Sequence, residues 1–213
     1  ADTNFVSNRA DLHSSPAIRV AGRKAMALAG VTPDDIDHID LYSCFPSAVQ
    51  IAATEMELGL DRQLTQTGGL TFAGGPLNNY VTHSIATMAN VLREDAGTTG
   101  LCSANGGYIT KHAFGLYSTN PPSQGFQHED CQVEIDAFPS VDLDAEHVGS
   151  GTIEAYTVMH GADGPERGLA SVRTPNGRQW AGTSDLPLME SMMTEEHVGR
   201  SVEVLPDFSF ELV

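Results

Sequence analysis

Residues able to do chemistry gather in a few short runs. In "DLYSCF", Asp40 to Phe45, Tyr42 and Cys44 stand at the end of an apolar stretch. A thiol at a strand end, just ahead of a helix, is placed to give and take a proton, because helix N-terminal amides favour the thiolate. A phenol beside it can donate a hydrogen bond to a carbonyl oxygen or an enolate. Both residue types also serve as core, one as a small buried thiol and the other as a strand aromatic. In "TGGLTFAGGPLNNYVTH", glycines including Gly68, Gly69, Gly74 and Gly75 lead into a helix that starts near Asn78 and Asn79. Such glycines serve tight turns and also let a ligand approach the backbone closely. The open N–H groups of a helix start can bind an anion or a carbonyl dipole, while asparagine there is equally an ordinary cap. Asn105, Gly106 and Gly107 form a third group, in "ANGG". His83, inside the same helix, and His112, in a later strand, are the candidate general bases. Histidines in such places more commonly pack or hydrogen-bond.

The elements that must position these residues follow from pattern. "SSPAIRVAGRKAMALAGV" reads as a helix capped by Ser15, started by Pro16 and closed by Gly30, with Ile18, Ala21, Ala25 and Leu28 on one stripe. A turn and a short helical start lead to a strand over 38–42, then a helix over 46–58 stopped by Gly59. A second long helix is predicted over 78–93. Two strands follow, joined through Gly106 and Gly107. Helices alternating with strands imply a layered α/β arrangement. The prolines and small polar residues of "STNPPSQG", 118–125, mark a linker. Beyond it, "SGTIEAYTVMHG", "ERGLASVRTPNGRQWAGT" and "RSVEVLPDFSFELV" read as strands, with a short acidic helix in "PLMESMMTEEHVG".

Composition narrows the function classes. The 213 residues carry 28 acidic and 11 basic side chains, a net charge of -17. Residues 1–118 hold 11 acids and 7 bases, whereas 119–213 hold 17 acids and 4 bases. Nucleic acid and anionic membranes are disfavoured partners, because phosphate binding needs clustered Lys and Arg. No apolar run approaches the roughly 20 residues of a membrane helix, and the opening residues lack the features of a signal peptide. A cytoplasmic protein is expected. Three cysteines, Cys44, Cys102 and Cys131, show no metal-ligand spacing and read as free thiols in a reducing compartment. No metal is expected.

Four collinear stretches resemble the thiolase superfamily, in particular the C-terminal half of sterol carrier protein-type thiolases. They are "SPAIRVAGRKAMALAGVTPDDID", "DLYSCF", "TGGLTFAGGP" and "ANGG". The resemblance covers about half the chain. It implies an incomplete C-terminal half of the layered α/β thiolase fold over residues 1–118. The acidic β-rich segment, 126–213 beyond a linker at 119–125, resembles the small OB-like barrel appended to some thiolase-like proteins. An OB groove for nucleic acid is basic and lined with stacking aromatics, which this segment is not.

Departures from the family pattern matter as much. Where sterol carrier protein-type thiolases read His-Asp-Cys-Phe, this chain reads Tyr42, Ser43, Cys44, Phe45, so the cysteine is kept and the histidine is a tyrosine. The histidine of the family's Gly-His-Pro turn falls on Gly75. Nothing in the chain corresponds to the family's nucleophilic cysteine, which lies in the other half of such proteins. The resemblance implies coenzyme A thioesters as substrates, with no tightly bound cofactor, and acyl transfer or Claisen-type carbon–carbon bond chemistry with Cys44 moving protons. A retro-aldolase acting on a β-hydroxyacyl thioester and a non-catalytic scaffold subunit are the alternatives. Gly74, Gly75, Asn78, Asn105, Gly106 and Gly107 are the expected acyl-CoA contacts. The expected partner is the missing N-terminal half, as a separate subunit or a cleaved piece, and further oligomerisation is compatible with the fold.

Overall fold

The computed structural model describes all residues, 1–213. It divides into two units, one made of residues 1–5 and 13–138, the other of 6–12 and 139–213. The boundary thus falls after Phe138 and not within the 119–125 stretch. The reason is local. Lys24 pairs with Glu129 and, at 2.8 Å, with Glu134, and Cys131 and Ile135 pack against Ala17 and Val20. The proline-rich stretch therefore leads into a segment that folds back on the first unit.

In the first unit, helix α1 (Pro16–Ala29) starts as expected. The Ser15 side chain accepts from the Ile18 amide, and Gly30 closes the helix in the left-handed conformation. Two carboxylates reinforce that N-terminus, where the helix dipole favours negative charge. Asp2 accepts from the Ala17 amide at 2.8 Å, and Glu55 accepts from the Ser15 amide at 2.7 Å. Strand β1 (His38–Asp40) pairs in parallel with β2 (Thr99–Gly106), which pairs antiparallel with β3 (Lys111–Ser118). β1 stops two residues short of the expected Tyr42, since the Leu41 amide leaves the sheet to donate to the Leu64 carbonyl.

Between β1 and β2 run α2 (Pro46–Glu55), the short α3 (Gly69–Ala73) and α4 (Tyr80–Glu94). Strand alternation sorts the two faces. Ile39, Leu41 and Leu101 bury with Ile18, Met26 and Met56, while Cys102 buries with Met88 and Leu92 of α4. β1 turns its polar residues towards α4. His38 bonds Asp95 just past the helix end at 2.9 Å, and Asp40 bonds Tyr80 at the helix start. The fourth helix thus runs antiparallel to β1 and is held at both ends.

The second unit is a five-stranded antiparallel sheet in the order β6-β5-β4-β7-β8, comprising β4 (Gly149–Gly161), β5 (Gly164–Arg173), β6 (Arg178–Thr183), β7 (Ser201–Val204) and β8 (Phe210–Leu212). A four-residue α5 (Gln132–Ile135) belongs to the first unit, and α6 (Leu186–Thr194) lies between β6 and β7. The outer strands approach at a single bridge, Gly182 with Ser209, so the sheet curls without a continuous closing ladder. Ile153, Val172, Val202, Val204 and Phe210 form its core with Met192 of α6. No helix is long and apolar enough to cross a membrane.

Residues 6–12 join this unit through Arg178. Its fully buried guanidinium donates to the carbonyls of Val6, Ser7 and Arg9 at 3.2, 2.7 and 2.8 Å, and to Glu154. Burial opposes ionisation of Glu154, but hydrogen bonds from Arg178 and Ser171, with the Arg178 and Arg173 charges, outweigh it and hold the carboxyl below its ordinary 4.5. A depressed carboxyl contributes stability that is present above the unfolded value and lost as pH falls through the folded one. Trp180, the single tryptophan, should therefore report acid loosening of this unit below about pH 4.5, and Glu154→Gln should remove that part of the pH dependence. Arg178→Met leaves Glu154 without its buried partner and should cost about 3–5 kcal/mol in urea denaturation.

Candidate active site

Side chains at the carboxyl ends of β1 and β2 converge, the place where open α/β sheets bind ligands. Their anchor is Asp40, fully buried. One carboxylate oxygen accepts from the amides of Gln66 and Thr67, each at 2.9 Å, and from the Thr65 hydroxyl at 3.3 Å. The other accepts from the Tyr80 hydroxyl at 2.9 Å. Tyr80 also bonds the Thr67 hydroxyl at 2.8 Å. Burial pushes the Tyr80 phenol up to about 12, against the Thr67 hydrogen bond and with help from the Asp40 charge, so it stays a neutral donor.

The Tyr42 ring stands edge-on to Tyr80, with centroids 5.0 Å apart and an angle of 82°. Its amide donates to Ser103 of β2 at 2.9 Å, which keeps the residues after β1 beside the second strand. Ser43 then fixes the glycine turn by accepting from the Leu70 amide at 3.0 Å. Gly69 is required there. Its φ is +74°, and an added β-carbon would lie 2.5 Å from the Ser43 hydroxyl.

Cys44 follows directly and is the exposed thiol of the three. Asn105, at the end of β2, donates to its sulfur at 3.4 Å, while the Asn105 side-chain oxygen is buried without a partner. Burial pushes the Cys102 thiol up to about 11, against the Ser84 hydrogen bond, and burial also raises the Cys131 thiol. Cys44 is thus the one thiol of the three exposed to solvent.

The remaining sequence candidates fall in several places. Gly74 sits at φ +73° and ψ 168°, a conformation that is essentially glycine-only, whereas Gly75 has no left-handed φ and an added β-carbon there meets nothing. Asn78 lies in a 3-10 turn, Leu77–Asn79, ahead of α4, and Asn79 takes the N-cap position without a side-chain cap bond. The expected asparagine cap is therefore not made. Gly106 and Gly107 form the β2–β3 turn, next to Asn105. His83 is on the exposed side of α4. His112 faces Asn105 in the β2–β3 register, and its imidazole lies 3.7 Å from Asp2 at the start of α1. No group of three or more His, Cys, Asp or Glu is arranged to hold a metal ion.

Sequence reading did not single out Asp40, Thr67 or Tyr80. The signal available for Asp40 was an acid in the apolar run "HIDLY", since an acid pointing inwards from a strand needs several donors. The partners of Asp40 are 25–40 residues away in sequence, and no local pattern names them.

Comparison with known proteins bears on the fold and the family. The family model for the thiolase C-terminal domain-like region matches residues 1–63, and the model for the thiolase-like protein type 1 additional C-terminal domain matches residues 130–208. The crystal structure of a monomeric SCP2-thiolase like protein type 1 from Mycobacterium smegmatis superposes with a TM-score of 0.87 at 36% sequence identity, over 100% of this chain. The chain belongs to the thiolase superfamily. A 3-ketoacyl-CoA thiolase from Marinomonas sp. (strain MWYL1) is 36% identical over 87 residues, 39% of this chain and 22% of that protein. The chain spans 48% of the solved Mycobacterium relative, so it corresponds to about half of that molecule.

If Asp40 organises the site, Asp40→Asn should cost about 1.5–3 kcal/mol, because one amide N–H₂ must then face either two backbone N–H donors or the Tyr80 hydroxyl. Urea denaturation measures it. Iodoacetamide labelling followed by mass spectrometry should modify Cys44 before Cys102 and Cys131.

Proposed function

We infer that this chain forms the C-terminal part of an acyl-CoA-handling, thiolase-fold enzyme that makes or breaks a carbon–carbon bond next to a thioester. The observation that carries this reading is the exposed Cys44 sulfur, held by Asn105 at the carboxyl ends of two parallel strands beside a glycine turn. In the reaction proposed, Cys44 takes a proton from the thioester α-carbon in the condensing direction, or returns one to it in the cleaving direction. Tyr42, steadied by Tyr80, donates a hydrogen bond to the thioester oxygen as negative charge develops there. Gly74, Gly75, Asn78, Gly106 and Gly107 border the space for the coenzyme A thioester, which is substrate and not a resident cofactor.

The nucleophilic thiol of a classical thiolase has no counterpart here, and a thiolase-like N-terminal half is the proposed partner. Exposed apolar side chains support it. Phe45, Phe72, Leu77 and Tyr108 are 65, 83, 88 and 79% exposed, and they lie on the same segments that carry the proposed site. Apolar groups gathered on site-bearing loops mark a surface that another polypeptide or a substrate covers.

Gly75 favours a second reading, retro-aldol cleavage of a β-hydroxyacyl thioester, which needs a proton acceptor for the hydroxyl and a proton donor to the α-carbon but no acylated cysteine. The complete protein, assayed with an acetoacetyl thioester and with a β-hydroxyacyl thioester, separates the two. Turnover of neither would leave the scaffold role. Cys44→Ala should lower kcat by about 10²–10⁴-fold with the fold intact, and unchanged turnover would assign the thiol to packing. Gly75→His should change stability by no more than about 0.5 kcal/mol, as its site is open. Gly74→Ala should cost about 1–3 kcal/mol in the same urea series, because of its backbone conformation.

A further inference from the structure

The sheet of the second unit carries a groove remote in sequence from Cys44. Registers align Thr157, Leu169 and Gly182 in one row and Ala155, Ser171 and Trp180 in the next, across β4, β5 and β6. Over this face lies a cavity of about 520 Å³, bordered also by Arg167 and Phe208. Its volume is within the range of small-molecule sites, about 300–1,000 Å³. Small side chains from β4 and β6 make the floor, and Trp180 and Phe208 make the walls. Along β5, Arg167, Leu169 and Ser171 follow the strand's two-residue period, so the furrow extends roughly 14 Å from the guanidinium.

Charge defines what could fill it. Between Pro139 and Val213 there are 13 acids and 4 bases. Arg173 and Arg178 pair with Glu154, and Arg200 pairs with Glu195 at 2.8 Å. Arg167 alone of the four has no acidic partner. It lies close over β6, since a β-carbon at Gly182 would come within 3.0 Å of its Nε. Ser171, at the far end, has committed its hydroxyl to Glu154 at 2.7 Å, and Leu169 makes the middle of the furrow apolar. Phe208 holds φ +62°, uncommon for a bulky residue, and the Gly182 amide donates to its carbonyl at 2.9 Å. Backbone strain of this kind clusters at ligand sites.

We propose that this groove binds an aliphatic monocarboxylate, its carboxylate paired with Arg167 and its hydrocarbon chain lying along Leu169 between Trp180 and Phe208. A guanidinium takes a carboxylate in two parallel hydrogen bonds. The length and small-residue floor of the furrow suit an extended chain. The excess of nine acids in this segment repels a polyanion, so the ligand carries one charge. This site is independent of the acyl-CoA reading.

The test uses the 213-residue chain and dodecanoate below its micellar concentration, read by the fluorescence of Trp180 and by titration calorimetry. Dodecanoate should bind saturably, and dodecanol, which lacks the charge, at least tenfold more weakly. Arg167→Gln, at an exposed position, should bring dodecanoate down to the level of dodecanol, while Arg167→Lys should retain part of the preference. The absence of saturable binding by both readouts would overturn the proposal. So would equal binding of dodecanol and dodecanoate, or an unchanged affinity in Arg167→Gln.

Discussion

A buried carboxylate at the end of a short strand organises the first unit. A carboxyl group as deeply buried as Asp40 needs donors around it, and the chain supplies two amides and the hydroxyls of Thr65 and Tyr80. Meeting that demand fixes three otherwise independent pieces of backbone. The residues after β1 take one path, the loop ahead of α3 folds over the carboxylate, and α4 starts where Tyr80 can reach it. The Tyr42 ring then leans on Tyr80, Ser43 reaches the glycine turn, and Cys44 is left outside beside Asn105. The exposed thiol is thus set by a residue that never meets solvent.

The second unit applies the same physics with the opposite charge. Arg178 is buried among carbonyls and Glu154, and through it a segment from the start of the chain is tied to a sheet formed far later in sequence. Both units therefore use one buried charge with several hydrogen-bond partners to select a single arrangement of irregular backbone, where apolar packing alone would permit several. The surface charge has a different consequence. With acids so numerous, a single unpaired arginine on an apolar face becomes a recognition feature.

Replacement of a glycine-turn histidine by Gly75 need not be a structural requirement. Open space around that position, against the backbone demand at Gly74, separates the two glycines of one turn into a conformational residue and a chemical vacancy. Gly74 and Gly69 shape the turn through their positive φ angles. In the proposed reaction, the glycine at position 75 and the aromatic at Tyr42 change which protons the site can move.

The sequence by itself determined the elements whose causes are local. The α1 cap at Ser15, its closure at Gly30, the hairpin through Gly106 and Gly107 and the strands of the acidic segment follow from periodicity and turn residues within a few positions. The collinear motifs likewise placed Cys44 and Gly75 in a superfamily. Tertiary structure alone decided what depends on distant partners. It ended β1 at Asp40, returned residues 126–138 to the first unit through Lys24, and took residues 6–12 into the second. It left Asn79 uncapping and set His112 against Asp2. At Asp40 and at Arg178 a buried charged group found its partners tens of residues away, and the cost of leaving such a group unsatisfied exceeds the local preferences that a sequence displays.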